Sequence, residues 1–163
     1  MLVTPSAGMQ PTTARRGTAV VTGMASDSHT WNLVFLQLLL EENGFDVVNL
    51  GPCVPDDLLV DSCRSAGPDL VVISSVNGHG HQEGLRVIAR LRAIAELAAT
   101  PVVIGGKLDV IRGKDTRHAQ RLTAAGFDAV FTEDARTMAR FRCFLDTLNR
   151  HPATPSARRG VLV

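Results

Sequence analysis

Cysteine is scarce in this chain of 163 residues, and it follows no disulfide or metal-binding pattern. The three cysteines are Cys53, Cys63 and Cys143, and no two of them form a Cys-x-x-Cys pair. A small secreted domain stapled by disulfides would need a denser and more regular set. We therefore expect reduced thiols and a cytoplasmic protein.

An excess of charge of one sign is also lacking. Seventeen Lys and Arg face sixteen Asp and Glu, for a net charge of +1. This balance gives no electrostatic reason to expect nucleic acid or an anionic membrane as a partner. No apolar run approaches the roughly 20 residues of a membrane helix, and the first residues do not resemble a signal peptide. We expect neither a nucleic-acid partner nor a membrane location.

The glycine-rich fingerprints of nucleotide binding are missing as well. The chain contains neither G-x-G-x-x-G nor G-x-x-x-x-G-K-[ST], so a phosphate cradle of either kind is not expected. Composition is that of an ordinary globular protein, with 45% apolar and 20% charged residues. The length predicts one folded domain over 17–150, flanked by polar tails at 1–16 and 151–163.

What the sequence does contain is a regular alternation of strand and helix patterns. Strands are predicted at 18–24, 46–51, 69–76, 101–106 and 128–132. Helices are predicted at 31–43, 55–66, 85–98, 116–125 and 135–149, with loops at 77–84 and 107–115. Five consecutive βα units indicate an α/β protein with a parallel sheet. The length suits the flavodoxin-like doubly wound fold, with five strands in the order 2-1-3-4-5.

Three predicted strand ends carry polar or very small residues that share one edge of such a sheet. The turn after the first strand holds Asp27 and His29, and the fourth strand ends in Gly105 and Gly106. The third strand ends in Ser74-Ser75, followed by a loop with Gly78 and Gly80. Ligands of doubly wound sheets bind outside the carboxyl ends of the strands. An edge with small side chains and few cations favours a large planar or elongated ligand.

Asp27-x-His29 has the chemistry of a metal ligand and its supporting carboxylate. A histidine that binds metal through one ring nitrogen usually donates its other N–H to a carboxylate. One histidine does not suffice for zinc, which takes three or four protein ligands, but it suffices as an axial ligand when a cofactor supplies the rest. Taken alone, Asp27 fits a helix N-cap better than it fits a supporting carboxylate.

The chain resembles the small, cobalamin-binding (sigma) subunit of glutamate mutase, also called methylaspartate mutase. The resemblance covers about 18–128 and includes the stretch ENGFDVVNLG at 42–51. The family shows Asp-x-His-x-x-Gly after strand 1, Ser-x-Leu and a Gly-x-Gly loop after strand 3, and Gly-Gly after strand 4. The corresponding segments here are DSHTWN (27–32), SSV (74–76), GHG (78–80) and GG (105–106). Asn32 stands where the family has glycine.

The resemblance implies a role for each of these positions. His29 would be the lower axial ligand of cobalt, replacing the cofactor's dimethylbenzimidazole, and Asp27 its hydrogen-bond partner. The displaced nucleotide tail would lie in a groove between strands 1 and 3. Ser74 and Ser75 would face this tail, and glycines 105 and 106 would let the backbone approach it. The same resemblance assigns these further residues to the cofactor: Ser26, Ser28, Thr30, Val76, Gly78, Lys107 and Leu108.

The activity implied is that of a subunit of an adenosylcobalamin-dependent carbon-skeleton mutase of the glutamate to 3-methylaspartate type. In this family the substrate is held by a barrel of about 250 residues, which the chain is too short to contain. We therefore expect the chain to be inactive alone and to act with a large barrel subunit. A methylcobalamin carrier for methyl transfer is an alternative. So is a non-enzymatic signalling module, although Ser74-Ser75 occupies the place of its phosphoacceptor aspartate.

Overall fold

The computed structural model describes residues 15–109 and 115–150. Its strands are β1 (Gly17–Gly23), β2 (Phe45–Asn49), β3 (Leu70–Ser75), β4 (Val102–Gly106) and β5 (Ala129–Thr132). Its helices are α1 (Trp31–Glu42), α2 (Asp56–Ala66), α3 (Gly80–Arg92), α4 (Asp115–Ala125) and α5 (Thr137–Arg150), with a short 3₁₀ turn at Ala95–Leu97. Three predicted segments lie outside the described residues: 1–14 of the N-terminal tail, 110–114 of the loop after the fourth strand, and the C-terminal tail at 151–163.

The five strands form one parallel sheet in the order β2-β1-β3-β4-β5, as predicted. β3 lies in the centre, and all six of its residues are buried, which is why its sequence is a continuous apolar run rather than an alternating one. Helices α1 and α5 cover one face of the sheet, and α2, α3 and α4 cover the other. No described helix is long and apolar enough to cross a membrane.

Strand register places the motifs in adjacent positions along the carboxyl edge of the sheet. Gly23, at the end of β1, is aligned with Ser74. Ser74 is aligned with Gly105, and Gly105 with Phe131. The three motif-bearing strand ends are therefore neighbours, as the topology predicts.

The boundaries of α3 differ from the prediction. The helix begins at Gly80, inside the predicted loop, and ends at Arg92 rather than near residue 98. Position 84 lies inside the helix and is a glycine because no space remains there for a side chain. A Cβ would lie 2.9 Å from Leu122 Cδ2 and 3.0 Å from Ile104 Cδ1. At the other end the Arg92 guanidinium donates to the carbonyls of Leu97 (3.1 Å) and Thr100 (2.8 Å), and thereby holds the chain as it turns toward β4.

The start of the folded domain also differs slightly from the prediction. The prediction places residues 15 and 16 in the N-terminal tail. Arg16 N–H donates to the carbonyl of Gly44 at 2.9 Å, and Arg15 forms an ion pair with Asp46. Both contacts attach this segment to the beginning of β2, the edge strand.

Candidate functional site

Asp27 and His29 form a close pair in the loop between β1 and α1. His29 Nδ1 lies 2.6 Å from Asp27 Oδ1, and the His29 backbone N–H donates to the same oxygen at 3.1 Å. The other carboxylate oxygen accepts the N–H groups of Val76 (2.6 Å) and Asn77 (3.3 Å), just after β3. One buried carboxylate thus holds His29 and joins the loops that follow β1 and β3.

The environment of Asp27 keeps its side chain ionised. Burial would by itself raise the pKa, since the side chain is only 1% exposed. Hydrogen bonds from the Val76 N–H and from the ring and backbone of His29 outweigh burial, so the pKa of Asp27 lies below its ordinary value. An ionised carboxylate only accepts hydrogen bonds. Asp27 Oδ1 therefore accepts the Nδ1–H of His29, and Nε2 is the ring nitrogen left for another partner, on a side chain that is 60% exposed.

A second set of hydrogen bonds fixes the same loop against α3. Asn77 Nδ2 donates to Ser26 Oγ at 2.8 Å and to the Ser26 carbonyl at 3.0 Å. Ser26 Oγ donates in turn to Glu83 Oε2 at 2.8 Å. Ser26 therefore orients the loop that carries the Asp27–His29 pair.

A cavity of about 170 Å³ opens at the carboxyl edge, and its lining includes Val76, whose N–H binds Asp27. It lies between α1 and α5, above the ends of β3 and β4, and its walls are almost wholly apolar. We call it the groove; its lining includes Asn32, Phe35, Ser74, Val76, Gly105, Gly106, Thr137, Met138 and Phe141.

The groove is bordered by β3 and β4, whose residues from Val72 to Ser74 and from Val103 to Gly106 line it. On the same face of the sheet, Leu33 and Leu40 of α1 are buried in one cluster with Ala19 and Val21 of β1. The position of a nucleotide tail between strands 1 and 3 stays a prediction.

Ser74 and Ser75 face opposite sides of the sheet. Ser74 lines the groove, and its Oγ accepts a hydrogen bond from Asn32 Nδ2 at 2.6 Å. Ser75 faces α3, where a Cβ at Gly80 would lie 2.7 Å from Ser75 Cβ. Successive side chains of a strand alternate in this way, so one of the two serines, not both, reaches the groove.

Glycines 105 and 106 line the groove and are also required by the neighbouring strands. A Cβ on Gly105 would lie 3.1 Å from Phe131 Cβ, and one on Gly106 would lie 2.2 Å from the Ser75 carbonyl oxygen. Gly106 also has a φ of +107°, which side chains rarely tolerate. Both glycines keep this wall of the groove open.

The remaining predicted site residues differ in their exposure. Ser28 and Thr30 are exposed beside His29, and Lys107 is exposed after β4. Gly78 is buried in the turn after β3. Leu108 is 4% exposed and belongs to the core on the α3 side of the sheet, away from the groove.

Several groove residues were not identified from the sequence. Thr137, Met138 and Phe141 come from α5, whose apolar side reads in the sequence as ordinary core. Phe35 lies on α1, which is apolar on both its inner and its outer side. Asn32 stands where the family has glycine, and this replacement indicated a polar side chain in the wall of the groove.

No three His, Cys, Asp or Glu side chains in the described ranges converge to hold a metal ion. His29 with Asp27 therefore offers one ring nitrogen and a carboxylate that orients it. Such an arrangement suits a metal whose other ligands arrive with it.

The chain was compared with known protein families, curated relatives and solved structures. A family model described as "B12 binding domain" matches residues 17–142. The glutamate mutase sigma subunit of Halobacterium salinarum is 32% identical over 115 residues, which cover 71% of this chain and 76% of that protein. The glutamate mutase sigma subunit of Fusobacterium nucleatum is 27% identical over 114 residues, with coverages of 69% and 82%.

Among solved structures, a cobalamin-binding protein from Desulfitobacterium hafniense matches with a TM-score of 0.62 and 22% identity. The match covers 80% of this chain and 58% of that one, so this chain spans less than two thirds of that structure. At this level of identity the match shows a shared fold.

Proposed function

Since the chain belongs to the B12-binding domain family and, within it, to the glutamate mutase sigma subunits, we propose that it holds adenosylcobalamin for a catalytic partner. His29 is the lower axial ligand in this proposal, and the cofactor is bound base-off. That the chain is a cobalamin-binding subunit of an isomerase follows from the family itself.

The observation that carries the proposal is the hydrogen bond from His29 Nδ1–H to the buried Asp27 carboxylate. This bond fixes the ring and leaves Nε2, on an exposed side chain, as the atom proposed to bind the metal. A carboxylate behind a ligating histidine raises the basicity of the ligand and holds it in one orientation. The donor set fits cobalamin, whose macrocycle supplies the other ligands of cobalt.

The groove supports the base-off mode. Its apolar walls suit a flat aromatic base, and it opens at the carboxyl edge that also carries His29. Val76 contributes to both features, because its backbone N–H binds Asp27 and the residue lines the groove. Ser74 and glycines 105 and 106 are the predicted tail residues that line it.

When bound, adenosylcobalamin supplies radical chemistry at its cobalt–carbon bond. The residues of this chain bind the lower side of the cofactor, orient it, and keep a proton on His29 Nδ1. We propose that the reaction is of the glutamate to 3-methylaspartate type and that a separate barrel subunit holds the substrate. The substrate is placed there because no arginine cluster forms a dicarboxylate clamp at the described part of this edge.

The outer side of α1 supports a protein partner at this edge. Trp31, the first residue of the helix, is 85% exposed, and Phe35 and Leu38 are also exposed along the same side. By contrast, α2 and α3 are linked at the surface by ion pairs, such as Arg86 with Asp56. An apolar surface that begins at the cofactor edge fits the catalytic subunit that must cover the cofactor.

The test is a visible-spectrum titration of the chain with hydroxocobalamin. Wild type should bind stoichiometrically with the spectrum of histidine-ligated, base-off cobalamin. His29→Ala should lose that spectrum, whereas His79→Ala, which removes another exposed histidine at the same edge, should keep it. A wild-type spectrum unchanged in His29→Ala would refute the assignment of His29. Mutase activity should require addition of the barrel subunit.

A further inference from the structure

Glu83, the fourth residue of α3, contacts the loop that carries His29 although it lies on a different element of the fold. Its carboxylate is 12% exposed, and its Oε2 accepts the Ser26 hydroxyl at 2.8 Å. Arg86 on the same helix lies further away, at 3.7 Å. The guanidinium of Arg86 is held instead by Asp56, in two hydrogen bonds of 2.6 and 3.0 Å. The short contact of Glu83 is therefore with the loop rather than with the ion pairs between α2 and α3.

The orientation of the Asn77 amide determines how Ser26 is bonded. The His79 backbone N–H, which can only donate, lies 3.0 Å from Asn77 Oδ1. The Nδ2 end of the amide, with its two N–H groups, therefore faces Ser26, at 2.8 Å from its Oγ and 3.0 Å from its carbonyl oxygen. Because the amide donates to Ser26 Oγ and a carboxylate only accepts, the one hydroxyl proton of Ser26 goes to Glu83.

Asn77 also joins Ser26 to the carboxylate behind His29. Its backbone N–H lies 3.3 Å from Asp27 Oδ2, while its side chain binds Ser26, the residue directly before Asp27. Asp27 Oδ1 in turn accepts the Nδ1–H of His29 at 2.6 Å. A shift of Ser26 would therefore move the carboxylate that orients the ring, and Glu83 is the contact that attaches the Ser26 hydroxyl to α3.

A ligating histidine binds its metal more tightly when its position is fixed beforehand, because less conformational freedom is then lost on binding. Residues that hold a metal ligand without touching the metal commonly contribute to affinity in this way. Resting on the function proposed above, we infer that Glu83 is a positioning residue for the cobalt ligand. It accepts the Ser26 hydroxyl, holds the loop of Asp27 and His29 against α3, and so strengthens the binding of His29 to cobalt.

The test is the dissociation constant of hydroxocobalamin, measured by visible-spectrum titration of the full chain. Glu83→Ala removes the acceptor, and we expect the constant to rise about 5- to 10-fold. Glu83→Gln keeps a side-chain oxygen that accepts the Ser26 hydroxyl, so its constant should stay within about 2-fold of the wild-type value. Arg90→Ala, which removes the ion pair of Arg90 with Asp57 between α3 and α2, is the matched control and should also stay within about 2-fold.

Two double-mutant cycles separate positioning from a general effect on the fold. Glu83→Ala should add no further loss of affinity in a Ser26→Ala background, and none in a His29→Ala background, because Glu83 acts through both residues. Losses that multiply in either background, an unchanged constant in Glu83→Ala, or an equal loss in Glu83→Gln would each overturn the inference. These outcomes leave the proposed function intact. Failure of wild type to bind hydroxocobalamin would instead refute the proposed function.

Discussion

At the scale of single residues, the Asp27 carboxylate determines how firmly the His29 ring is held. Asp27→Asn keeps the size of the side chain but removes the charge that fixes the proton on Nδ1. Loss of such a supporting carboxylate typically costs 10–100-fold in metal affinity. We expect cobalamin affinity to fall by about that factor in a spectroscopic titration. Asp46→Asn, at an exposed carboxylate on β2, is the matched control and should bind as wild type does.

The pH dependence of stability is a second prediction at the residue scale. The pKa of Asp27 is lower in the folded chain than in the unfolded one, because hydrogen bonds from Val76 and His29 outweigh burial. Its stabilising contribution is therefore full above the ordinary carboxyl value of about 3.9 and is lost as the pH falls through the lower folded-state pKa.

Urea unfolding of wild type and Asp27→Asn across acidic pH measures this contribution. The difference in the free energy of unfolding should shrink as the pH falls from the ordinary carboxyl pKa of about 3.9 through the lower folded-state pKa of Asp27. A difference that grew over this range would contradict the assigned pKa direction.

At the scale of elements, the junction between β3 and β4 is the least tolerant part of the site. Gly106→Ala places a methyl group 2.2 Å from the Ser75 carbonyl oxygen at a φ of +107°. Gly51→Ala, at a φ of +83°, meets nothing within 4 Å. We expect the first to destabilise the fold by about 3 kcal/mol or more and the second by about 1–2 kcal/mol. Equal losses in chemical denaturation would show that the close approach of the two strands is unimportant.

The elements themselves were largely predictable, because the βα periodicity is strong and the connections are short. The sheet order and the central position of β3 follow from that periodicity. The early start of α3 did not, because Gly80 and Gly84 are typical of loops in sequence. Neither position has space for a Cβ. Tertiary packing therefore explains why glycine occurs at these two positions of a helix.

Of the candidate site, the Asp27–His29 pair could be predicted from the sequence, whereas the lining of the groove could not. Asp27 and His29 lie two residues apart and within six residues after β1 in sequence. Their proximity is therefore local, and their chemistry could be predicted from the residue types. The groove depends on where α1 and α5 separate, which is a property of helix packing. Thr137 and Met138 were therefore not predictable as groove residues. Both serines were predicted to face the tail, whereas Ser74 lines the groove and Ser75 faces α3.

At the scale of the whole molecule, the two faces of the sheet carry helices whose exposed surfaces differ in how well they suit a protein partner. Leu38 on α1 and Leu58 on α2 are similarly exposed, at 55% and 51%, but they lie on helices that cover opposite faces. We expect Leu38→Glu to weaken assembly with the catalytic subunit about 10-fold or more, since a charge would enter an apolar contact. Leu58→Glu should not, and neither change should alter cobalamin affinity. Titration calorimetry with the barrel subunit measures this, and equal effects would place the partner elsewhere.

The central claim, that His29 Nε2 ligates cobalt, is tested most directly by electron paramagnetic resonance of the Co(II) form bound to the chain. Protein labelled with ¹⁵N at histidine should change the nitrogen splitting of the axial ligand from triplets to doublets, and the change should vanish in His29→Ala. Triplets that persist in the labelled wild type would mean that the ligating nitrogen belongs to the cofactor's own base, which would contradict both the base-off mode and the role of the Asp27–His29 pair.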